Sequence, residues 1–397
     1  MATAEAQFNP FDPAVMADPY PYYRLMREGD PVHWNGTIRT WFLTRHADVS
    51  ELMRDDRRFS ADRTRSERYV PPPPERARGA RSMLVVDPPD HTRLRNLVNK
   101  AFTPRMVEQL RPRIESISAD LLDRLAGEGE TDLVAQFAYP LPVIVIAEML
   151  GVPARDRMRF QEWSAVLIRG LDPFVDAETL ERVFDAREAL NDYLNGIIAE
   201  RRRQPAADLI TGLIAAEEEG DALGHGELVA MCNLLLVAGH ETTVSLIAGG
   251  TLALLRHPDQ LDRLRREPPL ARTAVEELLR FVPPVQWTGR VAMEELEIGD
   301  RRISPGQSVV GILAAANRDP EVFPDPDRLD LGRDPNPHVA FGRGIHFCLG
   351  APLARLEAQI ALPMLLARFP ALREAGTPEP RPTWNLRGLA RLPVALS

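Results

Sequence analysis

Three short strings in the chain combine residue types that can do chemistry. The first is Phe341-Gly342-Arg343-Gly344-Ile345-His346-Phe347-Cys348-Leu349-Gly350, in which glycines and a single cysteine lead into an amphipathic stretch. The start of a helix offers unpaired amide donors and a partial positive charge, and both favour a thiolate over a thiol. Glycines let the backbone approach a flat ligand with no Cβ atoms in the way. The combination suits a metal-bound thiolate at Cys348. Taken alone, Cys348 reads equally as an inert buried thiol beside a glycine turn. A zinc site from His338, His346 and Cys348 would lack both the Cys-x-x-Cys spacing and a fourth ligand.

The second string is Ala238-Gly239-His240-Glu241-Thr242-Thr243, set inside a long apolar run. Threonines in such a run often bond back to the carbonyl four residues earlier. A carboxylate there is costly unless it is paired or functional, which singles out Glu241. The third string, Glu277-Leu278-Leu279-Arg280, places acid and base three residues apart on one helix face. An exposed pair of this kind is worth little.

The elements that must position these strings follow from composition and periodicity. The chain has 397 residues, 44% hydrophobic and 26% charged, which excludes disorder as its main state. Lys+Arg at 48 against Asp+Glu at 57 gives a net charge of −9, which argues against nucleic acid or anionic membrane as a partner. Two cysteines, Cys232 and Cys348, exclude a disulfide framework and fit a reducing compartment. The residues after Met1 form no basic region followed by an apolar run, so a cytoplasmic location is expected. The apolar run from Leu228 to Leu255 is interrupted at Asn233 and at His240 to Thr243, and reads as a buried helix rather than a membrane span.

Near the N-terminus, a helix is expected over Tyr20 to Glu28, followed by strands flanking Asn35-Gly36, a hairpin signal. Asp62 to Met83, with six arginines, three acids and Pro71 to Pro74, reads as a stiff loop. From Asp90 to about Glu219 apolar residues recur at three and four, predicting helices over Leu110–Leu125, Val143–Leu150, Phe160–Ile168 and Leu180–Ile198. A helix over roughly Gly226 to Leu255, about 45 Å long at about 1.5 Å per residue, is apolar on most faces. It is expected to be central and to carry Glu241. Beyond Arg280, short strands at Leu296–Ile298 and Ser308–Val310 are joined by turns at Gly299-Asp300 and Pro305-Gly306. A final helix from near Leu349 to Phe369 should kink at Pro363. The fold class is mainly α with small β-sheets (α+β).

At this point the chain resembles the cytochrome P-450 family of haem-thiolate monooxygenases. Phe341, Gly342, Gly344, His346, Cys348 and Gly350 occupy every fixed position of that family's bacterial haem-binding signature, Phe-Gly-x-Gly-x-His-x-Cys-x-Gly. The resemblance implies that Cys348 is the proximal ligand of iron in haem b, where a thiolate pushes electron density onto the metal. It implies that Ala238 to Thr243 is the oxygen-activation motif, with Thr242 opening a groove and Glu241 relaying protons, as oxygen reduction requires. Glu277 and Arg280 match the family's structural Glu-x-x-Arg network, for which Arg328 is the expected third member and Arg333 the alternative. His91, Arg95, Arg290 and His346 are implied as partners of the haem propionates, and Phe341 and Gly350 as cofactor-binding positions. Val237, Ala238, Val285, Gln286 and Trp287 are implied as pocket lining. Because residues from His91 to Gly350 would serve one cofactor, a single domain over residues 1–397 is expected, built on the cytochrome P-450 fold with its long central helix.

No Gly-x-Gly-x-x-Gly loop follows a strand, so no flavin or NAD(P) site is expected on this chain, and electrons should come from a ferredoxin or flavodoxin with its reductase. Six cations against one acid between His91 and Arg113 form the expected docking patch: Arg93, Arg95, Lys100, Arg105, Arg111 and Arg113, against Glu108. The arginine-rich loop raises an anionic or carrier-bound substrate as an alternative to a plain solvated loop. The reading is a cytoplasmic, monomeric monooxygenase that inserts one oxygen atom from dioxygen into a medium-sized lipophilic molecule, by hydroxylation and in secondary metabolism. A peroxide-driven or oxidative-coupling enzyme is the runner-up, disfavoured by intact Glu241 and Thr242. A haem sensor without turnover is a third reading.

Overall fold

The computed structural model of the chain describes residues 9, 10, 12–72, 79–170, 175–217 and 223–397. Residues 73–78, with Pro73 and Pro74 of the arginine-rich loop, lie outside the described residues. So do the residues around Met1 and the end of the predicted helical region at Glu219. In chain order the principal elements are β1 (Val32–Asn35), β2 (Thr40–Leu43), α1 (His46–Arg54), β3 (Phe59–Ser60), α2 (Asp90–Ala101), α3 (Arg111–Arg124), α4 (Pro140–Met149), α5 (Arg157–Arg169), α6 (Ala177–Arg203) and α7 (Leu209–Glu217). They continue with α8 (His225–Leu255), α9 (Ala271–Phe281), β4 (Trp287–Ala292), β5 (Leu296–Ile298), β6 (Arg301–Ile303), β7 (Ser308–Ile312) and α10 (Ala351–Arg368).

Two compact units are present. One comprises the described residues of Met1–Pro71, Gly249–Cys348 and Pro380–Gly388. Its sheet runs β1-β2-β7-β4-β3, antiparallel except for the β2/β7 pair. Side chains alternate across a strand, and here both sides are covered. Trp41, Leu43 and Val309 join one apolar cluster with Leu52, Met53 and Val339, while Phe42, Val310 and Ile312 join another with Tyr23, Trp287 and Trp384. The expected hairpin forms, but Asn35-Gly36 is not a two-residue turn. Asn35 closes β1, and its side chain accepts the Ile38 N–H at 3.1 Å, capping a longer loop in which Arg39 takes a left-handed φ of 49°.

The second unit comprises the described residues of Pro72–Ala248, Leu349–Glu379 and Leu389–Ser397. In it α2 packs on α7, α5 on α6, and α3 on both α4 and α10. Helix α8 spans 31 residues and is long and apolar enough to cross a membrane, yet most of it is buried inside the protein. Leu228, Met231, Cys232, Leu236 and Val244 to Ala248 are all buried. Burial pushes the Cys232 thiol up to about 12, which keeps it protonated and unreactive. Pro363 sits inside α10 without ending it.

On α10 Glu357 is 1% exposed, and desolvation raises its carboxyl to about 8, with the Thr243 hydroxyl pulling the other way. A carboxyl whose folded value is raised stabilises the fold fully below its unfolded value of 4.5, and this contribution is lost as the pH rises toward 8. Glu357→Gln is isosteric and does not titrate. Urea unfolding of the variant should therefore lack the decline seen in the parent across that window, whose slope from one such group is about 1.4 kcal/mol per pH unit. Identical pH slopes in the two proteins would show that Glu357 is not held neutral.

Candidate active site

Cys348 closes a loop that begins at Val339 and lies in the first unit. The Gly342 N–H donates to the Val339 carbonyl and the Cys348 N–H to the Phe341 carbonyl, each at 2.9 Å, around a short helical turn over Gly344–His346. Gly342 and Gly344 have φ of +71° and +70°, which L side chains rarely adopt. A Cβ on Gly344 would lie 2.4 Å from the Met53 carbonyl oxygen at the end of α1, so glycine is required there by space as well as by angle. Cys348 is half-buried, unlike Cys232. Phe341 and Phe347 are ring neighbours at 6.3 Å. Gly350 takes the N-cap position of α10 with an ordinary φ of −78°.

What holds this loop is a buried ion pair on α9. Glu277 and Arg280 have fully buried side chains. All five guanidinium hydrogens of Arg280 have acceptors: Nε and Nη2 donate to Glu277 at 2.8 and 2.7 Å, and the remaining three reach the carbonyls of Asn317, Pro326 and Arg328 at 2.7–3.0 Å. The Glu277 carboxylate also accepts from Asn336 Nδ2 and the Asp330 N–H at 3.1 and 3.0 Å. Arg333 supplies the third charged member, its Nε lying 3.2 Å from both Glu277 oxygens. This corrects the expectation for Arg328, which is exposed and contributes only its backbone carbonyl. Two further ties lead to the loop: Asn317 Oδ1 accepts the Val339 N–H at 2.8 Å, and His338 lies between Glu276 Oε2 and the Ala340 N–H at 3.1 and 3.2 Å. His338 is thereby committed to these partners.

In the second unit, α8 carries the acid and the hydroxyl. Glu241 is 3% exposed, with His240 Nε2 at 3.4 Å. Thr242 is half-buried, and its hydroxyl donates to the Ala238 carbonyl at 3.1 Å. Ala238 is exposed and Val237 half-buried, and between Glu227 and Leu255 no other residue of the helix is exposed. On α2, His91 is buried and Arg95 half-buried, four residues apart on one face.

The remaining expected residues divide between the units. Arg290 on β4 donates to Thr288 Oγ1 and the Gly289 carbonyl at 3.1 and 2.8 Å, and His346 is half-buried in the cysteine loop. Gln286 and Trp287 are both buried in the first unit. Gln286 is 1% exposed with Nε2 bonded to the Pro283 carbonyl at 2.7 Å, and Trp287 packs on Trp384. Val285 packs against the unit's own core. The basic stretch is also thinner than its composition: Arg93 pairs with Glu227, Arg111 with Glu108, and Arg113 with Glu148 through two bonds of 2.8 and 2.7 Å. Lys100 and Arg105 stay exposed.

No three His, Cys, Asp or Glu side chains come together as a metal site among the described residues. A porphyrin brings its own ring of ligands to a metal held by a single cysteine. The loop, with its two left-handed glycines and its half-buried cysteine, fits such a group.

The family model described as Cytochrome P450 matches residues 31–396. Cytochrome P450 107B1 of Saccharopolyspora erythraea is 48% identical over 400 residues, covering 97% of this chain and 96% of that protein. Vitamin D(3) 25-hydroxylase of Pseudonocardia autotrophica is 43% identical, covering 99% and 98%. The solved structure of the Bacillus subtilis bacillaene polyketide synthase cytochrome P450 PksS has a TM-score of 0.91 at 40% identity, covering 98% of this chain and 100% of that one. Fold and relatives define a monooxygenase that works through haem iron ligated by cysteine. The chain belongs to the cytochrome P450 family.

The network makes a discriminating prediction. Arg333→Ala removes a donor from a fully buried carboxylate and should cost about 2 kcal/mol in denaturant unfolding, whereas Arg328→Ala should stay within about 0.5 kcal/mol. The reverse order would restore Arg328 as the third member.

Proposed function

We propose that this monooxygenase hydroxylates an unactivated C–H bond of a medium-sized lipophilic molecule in secondary metabolism, using haem b. The observation that carries the reading is the buried Glu241 beside Thr242 on α8, next to exposed Ala238. Haem ligated by Cys348 supplies the binding and reduction of dioxygen. The chain's own residues do the rest: Thr242 holds a hydroxyl beside Ala238, and Glu241 delivers protons through it. His91, Arg95, Arg290 and His346 pair with the propionates. Phe341 packs the cysteine loop.

Electrons are supplied by a separate ferredoxin or flavodoxin with its reductase, and no flavin or NAD(P) site on this chain is needed. The substrate and dioxygen are its small-molecule partners. The enzyme acts as a monomer in the cytoplasm, as one domain, with neither nucleic acid nor membrane as partner. One family model running through both compact units supports the single domain, and the acidic balance supports the lack of a nucleic-acid or membrane partner.

A surrogate ferredoxin system and a compound library test this directly. Compounds that shift the haem spin state should drive NAD(P)H consumption and appear hydroxylated. Thr242→Ala and Glu241→Gln should each lower product formation by about 10²-fold, with oxygen released as peroxide instead. Cys348→Ser should abolish the thiolate-type spectrum of the reduced, carbon monoxide-bound protein. Full turnover by Glu241→Gln and Thr242→Ala with peroxide alone, and none with the electron-transfer system in the parent, would point to a peroxide-driven enzyme instead.

A further inference from the structure

His240 is the one titratable side chain in the 238–243 string to which the proposed function assigns no task, yet it is 2% exposed. Its Nδ1 lies 2.7 Å from the Leu236 carbonyl oxygen. That oxygen can only accept, so Nδ1 carries a hydrogen whatever the charge of the ring. The variable position is Nε2, which lies 2.9 Å from Ser164 Oγ on α5 and 3.4 Å from Glu241 Oε1. The Tyr139 ring stands edge-on to the imidazole at 5.9 Å. Among the described residues, Glu241 from α8 itself and Tyr139 from the segment before α4 are the titratable groups seen against it, and α5 contributes the uncharged Ser164.

The choice of a hydroxyl partner matters. A neutral imidazole accepts at Nε2 and needs a donor, whereas an imidazolium donates there and needs an acceptor. Serine is both, so the contact with Ser164, itself 0% exposed, survives a change of charge. A carboxylate that is 3% exposed needs a positive partner or a proton of its own. The imidazolium can share its single Nε2 hydrogen between Ser164 Oγ and Glu241 Oε1 and brings positive charge beside the carboxylate.

We propose that His240 and Glu241 share a single exchangeable proton, with Ser164 fixing the imidazole in both charge states, so that His240 is the positioning residue that keeps Glu241 supplied. The Nε2 hydrogen of the imidazolium passes to the Glu241 carboxylate, which hands it on, and the ring is left neutral, so that the Ser164 hydroxyl turns and donates to it. A proton from solvent then restores the imidazolium. This inference rests on Glu241 acting as the proton donor proposed above.

The test uses holoprotein labelled with ¹⁵N-histidine, in the diamagnetic ferrous carbon monoxide-bound form, titrated between about pH 5 and about pH 9. The His240 resonances are identified by their loss in His240→Gln. The expected result is an Nδ1 that stays protonated and an Nε2 that titrates, with its midpoint moved down by at least about one pH unit in Glu241→Gln. His240→Phe should then lower kcat at least about tenfold with KM little changed and shift the pH profile of product formed per NAD(P)H, and His240→Gln should recover part of the loss. An Nε2 that never takes a proton in this range, or that titrates identically in Glu241→Gln, overturns the shared proton. If Glu241→Gln itself leaves coupling intact, the proton role of Glu241 falls and this pair with it. If Glu241→Gln uncouples while the titration and the His240→Phe profile do not respond, only the role of His240 falls.

Discussion

A guanidinium and a carboxylate can be taken wholly out of water only if every donor and acceptor on both is filled. Glu277 and Arg280 meet that condition, and the chain between β7 and α10 is shaped by it. Three carbonyls, from Asn317, Pro326 and Arg328, must point at one side chain. The stretch that supplies them has little regular structure of its own, so the ion pair does for it what a sheet ladder does for a strand. Through Asn317 and His338 the same constraint reaches Val339 and Ala340, where the cysteine loop begins. Losing either charge would leave the other buried without compensation, and the geometry around Cys348 would lose its anchor along with the stability.

Helix α8 works by the opposite device. It is covered almost throughout by apolar side chains, and its few polar groups are satisfied within reach: His240 by Leu236 and Ser164, Thr242 by Ala238. Placing an acid in such a helix is expensive, and the cost is offset locally rather than by solvent. Midway along the helix, Ala238 is exposed beside the acid and the hydroxyl.

Much of this could be read from residue order, for identifiable reasons. The hairpin around Asn35 and the long helix through Glu241 have strong periodic or turn signals, and the cysteine loop has fixed spacing. Strand β4 is hard to see in the residue order because Gly289 and Arg290 interrupt its alternation. Arg328 and Arg333 both lie in irregular chain, where no period says which way a side chain points. The pairing of Arg113 with Glu148 spans 35 residues and that of His240 with Ser164 spans 76. Only tertiary structure brings such partners together, so the basic stretch read as freer than it is, and His240 read as a residue without a task.

At Gly344 two backbones touch directly, carbonyl against α-carbon, with nothing pendant between them. The shape of the cysteine loop is therefore insulated from side-chain drift along α1. Outward positions of that helix, such as Ala47, Glu51 and Arg54, are left to diversify among descendants without disturbing the loop that carries Cys348, while a single methyl at residue 344 would disturb it at once.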